Sequence, residues 1–589
     1  MGLGDWLDER TGHREALERW RGEPMRGGAS FAYVWGGATA LCLLVIAVSG
    51  VVLMTAYQPS ATTAWSSVNY IQTKLSMGWL LRGLHHNGAH VLVVLMVLHL
   101  VRTAVHAAYR KPRELVWLLG LVMMGLVLAF VRTGYLLPWD QEGYWATYIP
   151  INILGTMPGG ATLKELLIGG KELGHLSLTR FYTLHVVVLP LLMGLLLWAH
   201  GKLSRRHGLA PRSGVTSDER TPYFPNQVAL TMLAGVLVLG VLFAITVNGH
   251  GVPLQAPADP AADYPARPEW YFRAPFQALK YVPASVEWLI LVGAPLVVGA
   301  YFVALPFVDK KGDGLKQRLA YLSPLALIFV IIGALTTISF RSDAGDEAFT
   351  KARKEADARA ARAAVLAADG VPPAGPLAML ARDPQTRGPE LYEKHCAVCH
   401  RLNEWGPPEG EQTAPDLTGF GTEKWVLAVL DNPDAPDMFG NSPLEGLMPS
   451  YTRPPEDDEY ADEFEPMPME KQKAIAEWLA AESQGTAEED MPGEKIAKTA
   501  CTSCHRLDGE TDDEEGVAPE LRGWASLEWI RLQIDNPGNG TTYPPGIMDP
   551  DFEGHMPAYR DDLSPQEIAL LAGWVYEQAT GREHEPAED

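Results

Sequence analysis

The chain has 589 residues and a formal net charge of −23 at pH 7, and this length excludes a single small domain. Residues 341–589 hold 21 Lys and Arg against 52 Asp and Glu, so residues 1–340 carry a net charge of +8 by difference. A basic, apolar front part followed by an acidic rear part is typical of a membrane domain joined to a water-soluble one. The acidic part argues against nucleic acid as a partner.

Residues 1–30 form a polar, amphipathic N-terminus without the apolar core of a signal peptide. The first apolar segment is therefore expected to act as an uncleaved anchor. Seven segments are apolar and long enough to cross a bilayer. They lie at about residues 32–56, 84–107, 115–137, 181–200, 228–247, 288–308 and 321–340.

The charges between these segments predict how the chain crosses the membrane. Residues 1–30 and the loops after the second, fourth and sixth segments are rich in Lys and Arg, and such loops stay in the cytoplasm. We therefore expect a bacterial inner-membrane protein with a cytoplasmic N-terminus and a periplasmic or extracytoplasmic C-terminus. The loop charges are Arg110, Lys111 and Arg113; Lys202, Arg205, Arg206 and Arg212; and Lys310, Lys311, Lys316 and Arg318.

Two pairs of histidines occupy the second and fourth segments. His85 and His99 are 14 residues apart, and His185 and His200 are 15 apart, so each pair spans about four helical turns on nearly one face. Two facing helices would offer one histidine pair near each membrane surface, which suits two haems with two axial imidazoles each. A single membrane histidine more often bonds a neighbouring helix. We assign such structural roles to His86, His90 and His106.

Glycines in the first and third segments repeat the histidine spacing. Gly36 and Gly50 are 14 residues apart, as are Gly120 and Gly134. Glycine allows a flat ring to lie against the backbone, although small residues are also common in membrane helix packing. We predict porphyrin contact at these glycines. Four arginines near segment ends could pair with haem propionates: Arg82, Arg102, Arg113 and Arg180.

The loop between the fifth and sixth segments contains "RPEWYFRAPFQALKYVP", with Glu269 between Pro268 and Trp270. A carboxylate among aromatic residues at a membrane edge is costly unless it is solvated or used. One interpretation is a hydrated glutamate on a surface loop. The other is a proton acceptor beside an apolar substrate.

These features resemble the cytochrome b family of quinol-oxidising Rieske/cytochrome b complexes. The strings "GWLLRGLHHNGAH", "YRKPRELVWLLG", "GYLLPWDQEGYW", "LTRFYTLH" and "PEWYF" occur in family order. The resemblance implies that His85 and His185 ligate an outer haem b, and that His99 and His200 ligate an inner one. It also implies that Glu269 accepts a proton from quinol, in a pocket shaped by Tyr271 and Trp270 next to Pro268.

The resemblance is strongest to the short chloroplast and Gram-positive type, here with its three-helix companion fused. Residues 31–213 resemble the four-helix part and residues 214–340 the three-helix part. Relatives of that type bind an extra haem through a cysteine where this chain has Val34. We therefore expect no third haem in the membrane part. The inner quinone site is expected near Lys202, Arg205, Arg206 and His207.

The acidic part begins with a helical tether, predicted over 341–387, and continues as a tandem repeat. "CAVCH" at 396–400 and "CTSCH" at 501–505 are signatures of covalent c-type haem, with Cys396, Cys399, Cys501 and Cys504 as attachment sites. The context also repeats: "APDLTGFGTEKWVLAVLDNP" is echoed by "APELRGWASLEWIRLQIDNP". Each repeat, 388–486 and 487–589, resembles a class I cytochrome c. The remaining Cys42 stands alone, so a disulfide framework is not expected.

Axial ligands of the c haems are predicted from the same repeats. His400 and His505 complete the two motifs, and Met448 and Met556 follow them by 48 and 51 residues in matching "MP" contexts. Methionine ligation raises the potential of a haem, which suits an acceptor of quinol electrons. Met448 is expected to serve the first haem and Met556 the second. Met438 and Met548 are the alternatives.

The predicted fold is all-α: a seven-span bundle followed by two small cytochrome c domains. The predicted function is a respiratory quinol:cytochrome c oxidoreductase subunit with two haems b and two haems c. The cysteines leave no Rieske pattern, so a Rieske [2Fe-2S] protein is an expected partner. A soluble or membrane cytochrome c or an oxidase is the expected acceptor, and the family implies a homodimer. The alternative is a module that delivers quinol electrons to a reductase without a full quinone cycle.

Overall fold

The computed structural model describes residues 2–211, 220–310, 312, 315–454, 464–510, 517–551 and 554–582. The chain divides into two compact units, residues 1–377 and 378–589, and helices dominate both. Arg212, Lys311 and the expected boundary at residue 213 lie outside the described residues.

The described part of the first unit contains seven helices long and apolar enough to cross a membrane, which confirms the predicted number. The fourth begins six residues before the predicted edge, where Ser177 Oγ accepts the Gly174 N–H at 3.1 Å. Its turn Leu184–Val188 is a π-helix that holds His185, just before Pro190, which lacks an N–H and disrupts regular helical bonding. The spans are Trp35–Met54, Gly78–Val105, Glu114–Tyr135, His175–His207, Asn226–Asn248, Ala284–Val308 and Lys316–Ala344.

Spans 1, 2 and 5 pack against one another, and span 4 packs against span 3. The core between the first four spans includes Ala38, Cys42, Leu92, Val127 and Met193. Cys42 is fully buried and its Sγ lies 3.4 Å from the Gly88 carbonyl, so this cysteine fills the helix interface. Three small helices, Ala64–Thr73, Gln141–Gly155 and Gly160–Ile168, lie in the loops after spans 1 and 3.

The loop after span 5 lies on the same side of the bundle as those small helices, and this side is called the loop side. It contains the 3-10 turn Trp270–Phe272 and the helix Arg273–Leu279. Arg267 and Arg273 both bond Asp343 at the end of span 7. This shared carboxylate fixes the loop to the bundle.

The opposite side carries the N-terminal helices Leu3–Thr11 and His13–Arg21. Strands Pro24–Arg26 and Arg220–Pro222 pair antiparallel there. Asp309, after span 6, accepts bonds from Tyr109, Arg110 and Arg318 at 2.6, 2.6 and 2.9 Å. The two sides of the bundle are thus built from different loops, and which side faces the cytoplasm stays a prediction.

The predicted tether contains the helix Glu347–Leu366, whose N-terminus is capped by Asp346. The helix is not fully exposed: Ala363 is completely buried, and Arg353 donates to the Tyr264 hydroxyl at 3.3 Å. It packs on the loop side of the first unit, because its alanines provide an apolar face that the charge pattern did not reveal.

The second unit has one hydrophobic core shared by both sequence repeats. After the short helix Pro376–Ala381, the described helices of the first repeat are Pro384–His395, Glu423–Asp431 and Met469–Ser483. In the second repeat they are Pro492–Ala500, Leu527–Asp535 and Pro565–Thr580. The helix Pro384–His395 spans the predicted boundary at residue 388, and the boundary itself stays a prediction.

Candidate functional site

Four histidines meet as two pairs between spans 2 and 4. The ring centres of His85 and His185 are 6.1 Å apart, and those of His99 and His200 are 6.5 Å apart. Metal–imidazole bonds of about 2 Å on both sides of one iron, with ring radii of about 1 Å, require roughly 6 Å between ring centres. Both pairs therefore fit an iron with two axial imidazoles.

Contacts at Nδ1 leave Nε2 available in three of these rings. Nδ1 of His85 lies 2.9 Å from the Ile46 carbonyl, and Nδ1 of His200 lies 3.0 Å from the Val116 carbonyl. Nδ1 of His185 lies 3.1 Å from Thr133 Oγ1. A carbonyl only accepts, so Nδ1 of His85 and His200 carries the proton and Nε2 keeps its lone pair for a metal.

Each predicted glycine faces one of these histidine rings. A Cβ added at Gly36, Gly50, Gly120 or Gly134 would lie 3.2, 2.9, 3.6 or 2.6 Å from Cε1 of His99, His85, His200 or His185, respectively. The 14-residue spacing therefore matches the two levels of the histidine pairs. Contact of these glycines with porphyrin stays a prediction.

The four predicted propionate arginines have protein partners. Arg82 donates to the Val252 carbonyl at 2.5 Å, and Arg180 donates to the carbonyls of Leu166 and Glu165. On the other side, Arg113 donates to the His207 carbonyl at 2.8 Å, and Arg102 lies over the Tyr33 ring at 4.8 Å. These contacts hold loops and helix ends together, and propionate pairing stays a prediction.

Glu269 faces the interior of the loop side rather than open water. Its carboxylate is only 18% exposed, and Oε1 lies 3.8 Å from Nε2 of His90. Trp270 is 42% exposed and packs edge-on against Tyr271, whose own ring lies 5.6 Å from His90. Burial raises the pKa of the Tyr271 phenol, which therefore stays neutral. A small cavity here is lined by Val131, Arg132, Tyr135, Ala146, Pro268, Glu269 and Phe272.

Two histidines assigned structural roles from the sequence prove to belong to this site. Nε2 of His90 lies 3.1 Å from Nε2 of His86, so one nitrogen donates and the other accepts. Glu269 lies beside this hydrogen-bonded pair, so three groups that can exchange protons stand next to one another within the bundle. Their spacing of four residues on one helix face is the signal that could have indicated this role.

A second carboxylate approaches the cavity from the helix Gln141–Gly155. Burial and the nearby carboxylates of Asp140 and Glu269 raise the pKa of Glu142 to about 7. Glu142 bonds Tyr135, which lines the cavity. Sequence reasoning missed this residue, and it also missed Arg132, although an arginine within an apolar span is a functional signal.

The predicted inner quinone residues occupy the end of span 4. Lys202, Arg205 and Arg206 are exposed, and Lys202 lies 4.9 Å from the centre of the Trp198 ring. The His207 carbonyl receives the bond from Arg113. These contacts leave the inner quinone site a prediction.

The two Cys-x-x-Cys-His motifs each follow a helix, and their histidines are similarly held. Nδ1 of His400 lies 2.9 Å from the Pro415 carbonyl, and Nδ1 of His505 lies 3.0 Å from the Pro519 carbonyl. Burial lowers the pKa of both imidazoles, so they are neutral with Nε2 free. Burial also raises the pKa of Cys396 to about 12 and of Cys501 to about 11. These residues fit a covalently attached haem in an apolar cleft.

Four methionines of the second unit could supply distal ligands. Met448 and Met556 are partly buried against the core. Met438 and Met548 are more deeply buried, at 6% and 7% exposure. Partial burial suits a side chain at the edge of a haem cleft. Burial alone does not indicate which haem each methionine faces, so the contacts of the neighbouring residues are needed to assign it.

Comparisons with known proteins agree with both units. A family model for cytochrome b/b6/petB matches residues 21–208, and one for cytochrome c matches residues 385–481 and again 491–578. The cytochrome bc complex cytochrome b subunit of Chlorobaculum thiosulfatiphilum is 34% identical over 313 residues, covering 51% of this chain and 71% of that relative. Cytochrome b6 of Synechococcus sp. (strain JA-3-3Ab) is 38% identical over 207 residues, covering 35% of this chain and 96% of the relative. A solved chain described as hyperthermophilic respiratory Complex III has a TM-score of 0.50 and 25% identity, covering 61% of this chain and 95% of that chain.

Proposed function

Because the chain belongs to the cytochrome b/b6 family and continues into two cytochrome c repeats, we propose that it oxidises quinol and delivers electrons to an external acceptor. It is a membrane protein of the bc or Complex III type. The proposed activity is that of a quinol:cytochrome c oxidoreductase subunit coupled to proton translocation. The N-terminus lies in the cytoplasm and both c repeats lie outside.

The observation that carries this proposal is the position of Glu269. Its partly buried carboxylate lines a cavity with Pro268, Arg132 and Tyr135. The cavity lies on the side of the bundle that holds the His85 and His185 pair. A quinol ring is apolar with two hydroxyl groups, so its chemistry suits this lining, which combines apolar side chains with a few polar groups.

Oxidation of one quinol to quinone releases two electrons and two protons. Glu269 takes a proton from a quinol hydroxyl, as a general base must from within hydrogen-bond reach. His90 and Glu142 lie beside it, and Glu142 changes charge near neutral pH because the pKa of Glu142 is raised to about 7. These groups can pass the proton to the loop side, which returns Glu269 to its deprotonated form.

The four histidines and the two Cys-x-x-Cys-His motifs would hold the haems. Each haem carries one electron at a time when it is bound. His85 with His185 and His99 with His200 hold the two haems b. The cysteines and histidines of the two motifs hold the two haems c. An inner quinone near Lys202, Arg205, Arg206 and His207 receives the electrons that cross the membrane.

Other chains complete the proposed complex. The five cysteines of this chain lie in the two c motifs and at Cys42, so the [2Fe-2S] cluster that would take one electron from quinol would be held by a separate Rieske protein. The likeness of this chain to bc-type proteins supports a homodimer of the complex. The acidic second unit favours a cytochrome c or oxidase with a basic docking surface.

Replacement of Glu269 tests the proposal. Glu269→Gln keeps the size and hydrogen bonding of the side chain but cannot accept the proton, so quinol:cytochrome c turnover should fall by about 10²–10⁴-fold. The matched control is Glu172→Gln, an exposed carboxylate on the same side of the bundle, which should keep wild-type turnover. Spectra of both variants should show unchanged haem b and haem c. Full turnover in Glu269→Gln would refute the role of this carboxylate.

A further inference from the structure

The two c repeats exchange their helices. The opening helix of the first repeat, Pro384–His395, packs on the closing helix of the second, Pro565–Thr580. The opening helix of the second repeat, Pro492–Ala500, packs on the closing helix of the first, Met469–Ser483. Each pairing therefore joins one helix from each repeat.

Glycines fix both crossings at equivalent positions. A Cβ on Gly388 would lie 2.3 Å from Cγ of Trp574, and a Cβ on Gly493 would lie 2.6 Å from Cβ of Trp478. Only glycine allows helices to approach this closely. Since Gly388 and Trp478 belong to the first repeat and Gly493 and Trp574 to the second, the two crossings are matched and exchanged.

Chain connectivity gives a physical reason for the exchange. The closing helix of the first repeat ends at Ser483, and the opening helix of the second begins at Pro492. Helices joined by such a short loop pack together at little cost in loop-closure entropy. Their pairing leaves the helices Pro384–His395 and Pro565–Thr580 to pack against each other.

The methionine-containing segments precede the two closing helices in the chain and are exchanged together with them. The Tyr559 hydroxyl, three residues after Met556, donates to the carbonyl of His395 at 2.7 Å. The Tyr451 hydroxyl, three residues after Met448, donates to the carbonyl of Ala500 at 3.2 Å. His395 and Ala500 directly precede Cys396 and Cys501, so each methionine segment borders the haem motif of the other repeat.

The proximal side is not exchanged. His400 is held by Pro415 and His505 by Pro519, each within its own repeat. We propose that the distal ligands are exchanged, so that Met556 serves the haem bound at Cys396, Cys399 and His400, and Met448 serves the haem bound at Cys501, Cys504 and His505. This replaces the ligand pairing expected from sequence order. It rests on the c-haem part of the proposed function and not on quinol oxidation.

The full-length protein with one covalent haem removed tests the exchange. In a Cys396→Ala/Cys399→Ala background only the second c haem remains, and the methionine–iron charge-transfer band reports its distal ligand. Met448→Leu, which conserves side-chain volume, should abolish that band, whereas Met556→Leu should keep it. A Cys501→Ala/Cys504→Ala background should give the reciprocal result.

Other patterns of this band overturn the proposal. Loss of the band with Met556→Leu in the first background would restore the order-based pairing, and loss only with Met438→Leu or Met548→Leu would assign the alternative ligands. Haem staining of the denatured chain is done first. Absence of covalent haem would overturn the c-haem part of the proposed function, whereas normal haem with unexchanged bands would overturn only the exchange.

A second experiment does not depend on removing a haem. Residues 485, 486 and 488–490 of the linker are exposed. Cleavage at a protease site inserted there would cut the covalent link between the two repeats. Exchanged helices should keep the cut C-terminal fragment on the membrane in high salt. Release of a soluble, haem-containing fragment would overturn the exchange.

Discussion

Gly134 offers a sharp test of the paired-histidine sites. A Cβ at this position would lie 2.6 Å from Cε1 of His185, whereas the same atom at Gly120 would lie 3.6 Å from Cε1 of His200. Ordinary contact begins at 3.4 Å. Gly134→Ala must therefore displace the His185 ring by about 0.8 Å, and Gly120→Ala needs no displacement.

The His185 ring cannot move freely, because its Nδ1 is held by Thr133. Overpacking of this kind costs about 1–3 kcal/mol, which corresponds to roughly a 5- to 150-fold loss of haem affinity. Gly50→Ala, with a 2.9 Å contact to His85, should have a smaller effect, and Gly36→Ala, with a 3.2 Å contact to His99, a smaller one still. Gly120→Ala is the matched control.

The assay is the ratio of haem b to haem c in purified protein, from pyridine haemochrome spectra. Covalent haem c provides an internal standard, because it does not depend on these glycines. The haem b content should decrease in the order Gly120→Ala, Gly36→Ala, Gly50→Ala and Gly134→Ala. Equal loss in all four variants, or the greatest loss in Gly120→Ala, would show that contact with the histidine rings does not limit haem b binding.

Two predictions concern ionisation. Burial raises the pKa of Glu142 to about 7, so the quinol oxidation rate should rise with pH through that value as the carboxylate forms, and Glu142→Gln should remove this step from the pH–rate profile. An unchanged profile would exclude Glu142 from proton transfer. In the second unit, the Arg387 side chain holds the pKa of Glu567 at about 2, below its ordinary 4.5, so the pair stabilises the fold above about pH 4.5 and the benefit disappears as pH falls through about 2. Arg387→Ala should lower the unfolding temperature at pH 7, measured by following c-haem absorption on heating, and the difference from wild type should vanish in acid. A difference that does not depend on pH would contradict the stabilising role of this ion pair.

Sequence reasoning predicted the features that follow from local periodicity and spacing. The seven spans, the two histidine pairs, their glycines and the two c motifs all depend on residues at fixed intervals along one helix or in one short motif. The start of span 4 at His175 was not predicted, because the helix continues through polar residues outside the apolar core.

The rest of the site depends on tertiary contacts between distant segments. Glu142, His90 and Glu269 come from three separate elements, so no spacing along the chain indicates that they meet. Likewise, the repeats show that an opening and a closing helix will pair, but not which copies do so. That choice follows from the linker length and from the contacts of Trp478 and Trp574.

Oxidant-induced reduction of haem b in the purified complex tests whether quinol electrons divide between the b and c haems. The inner quinone site is blocked, quinol is added, and a pulse of oxidant is given while the b and c absorption bands are followed together. If quinol electrons divide at the Glu269 site, oxidation of the c haems should drive reduction of the b haems. Reduction of the c haems with no response in the b bands would contradict the account and indicate linear electron delivery.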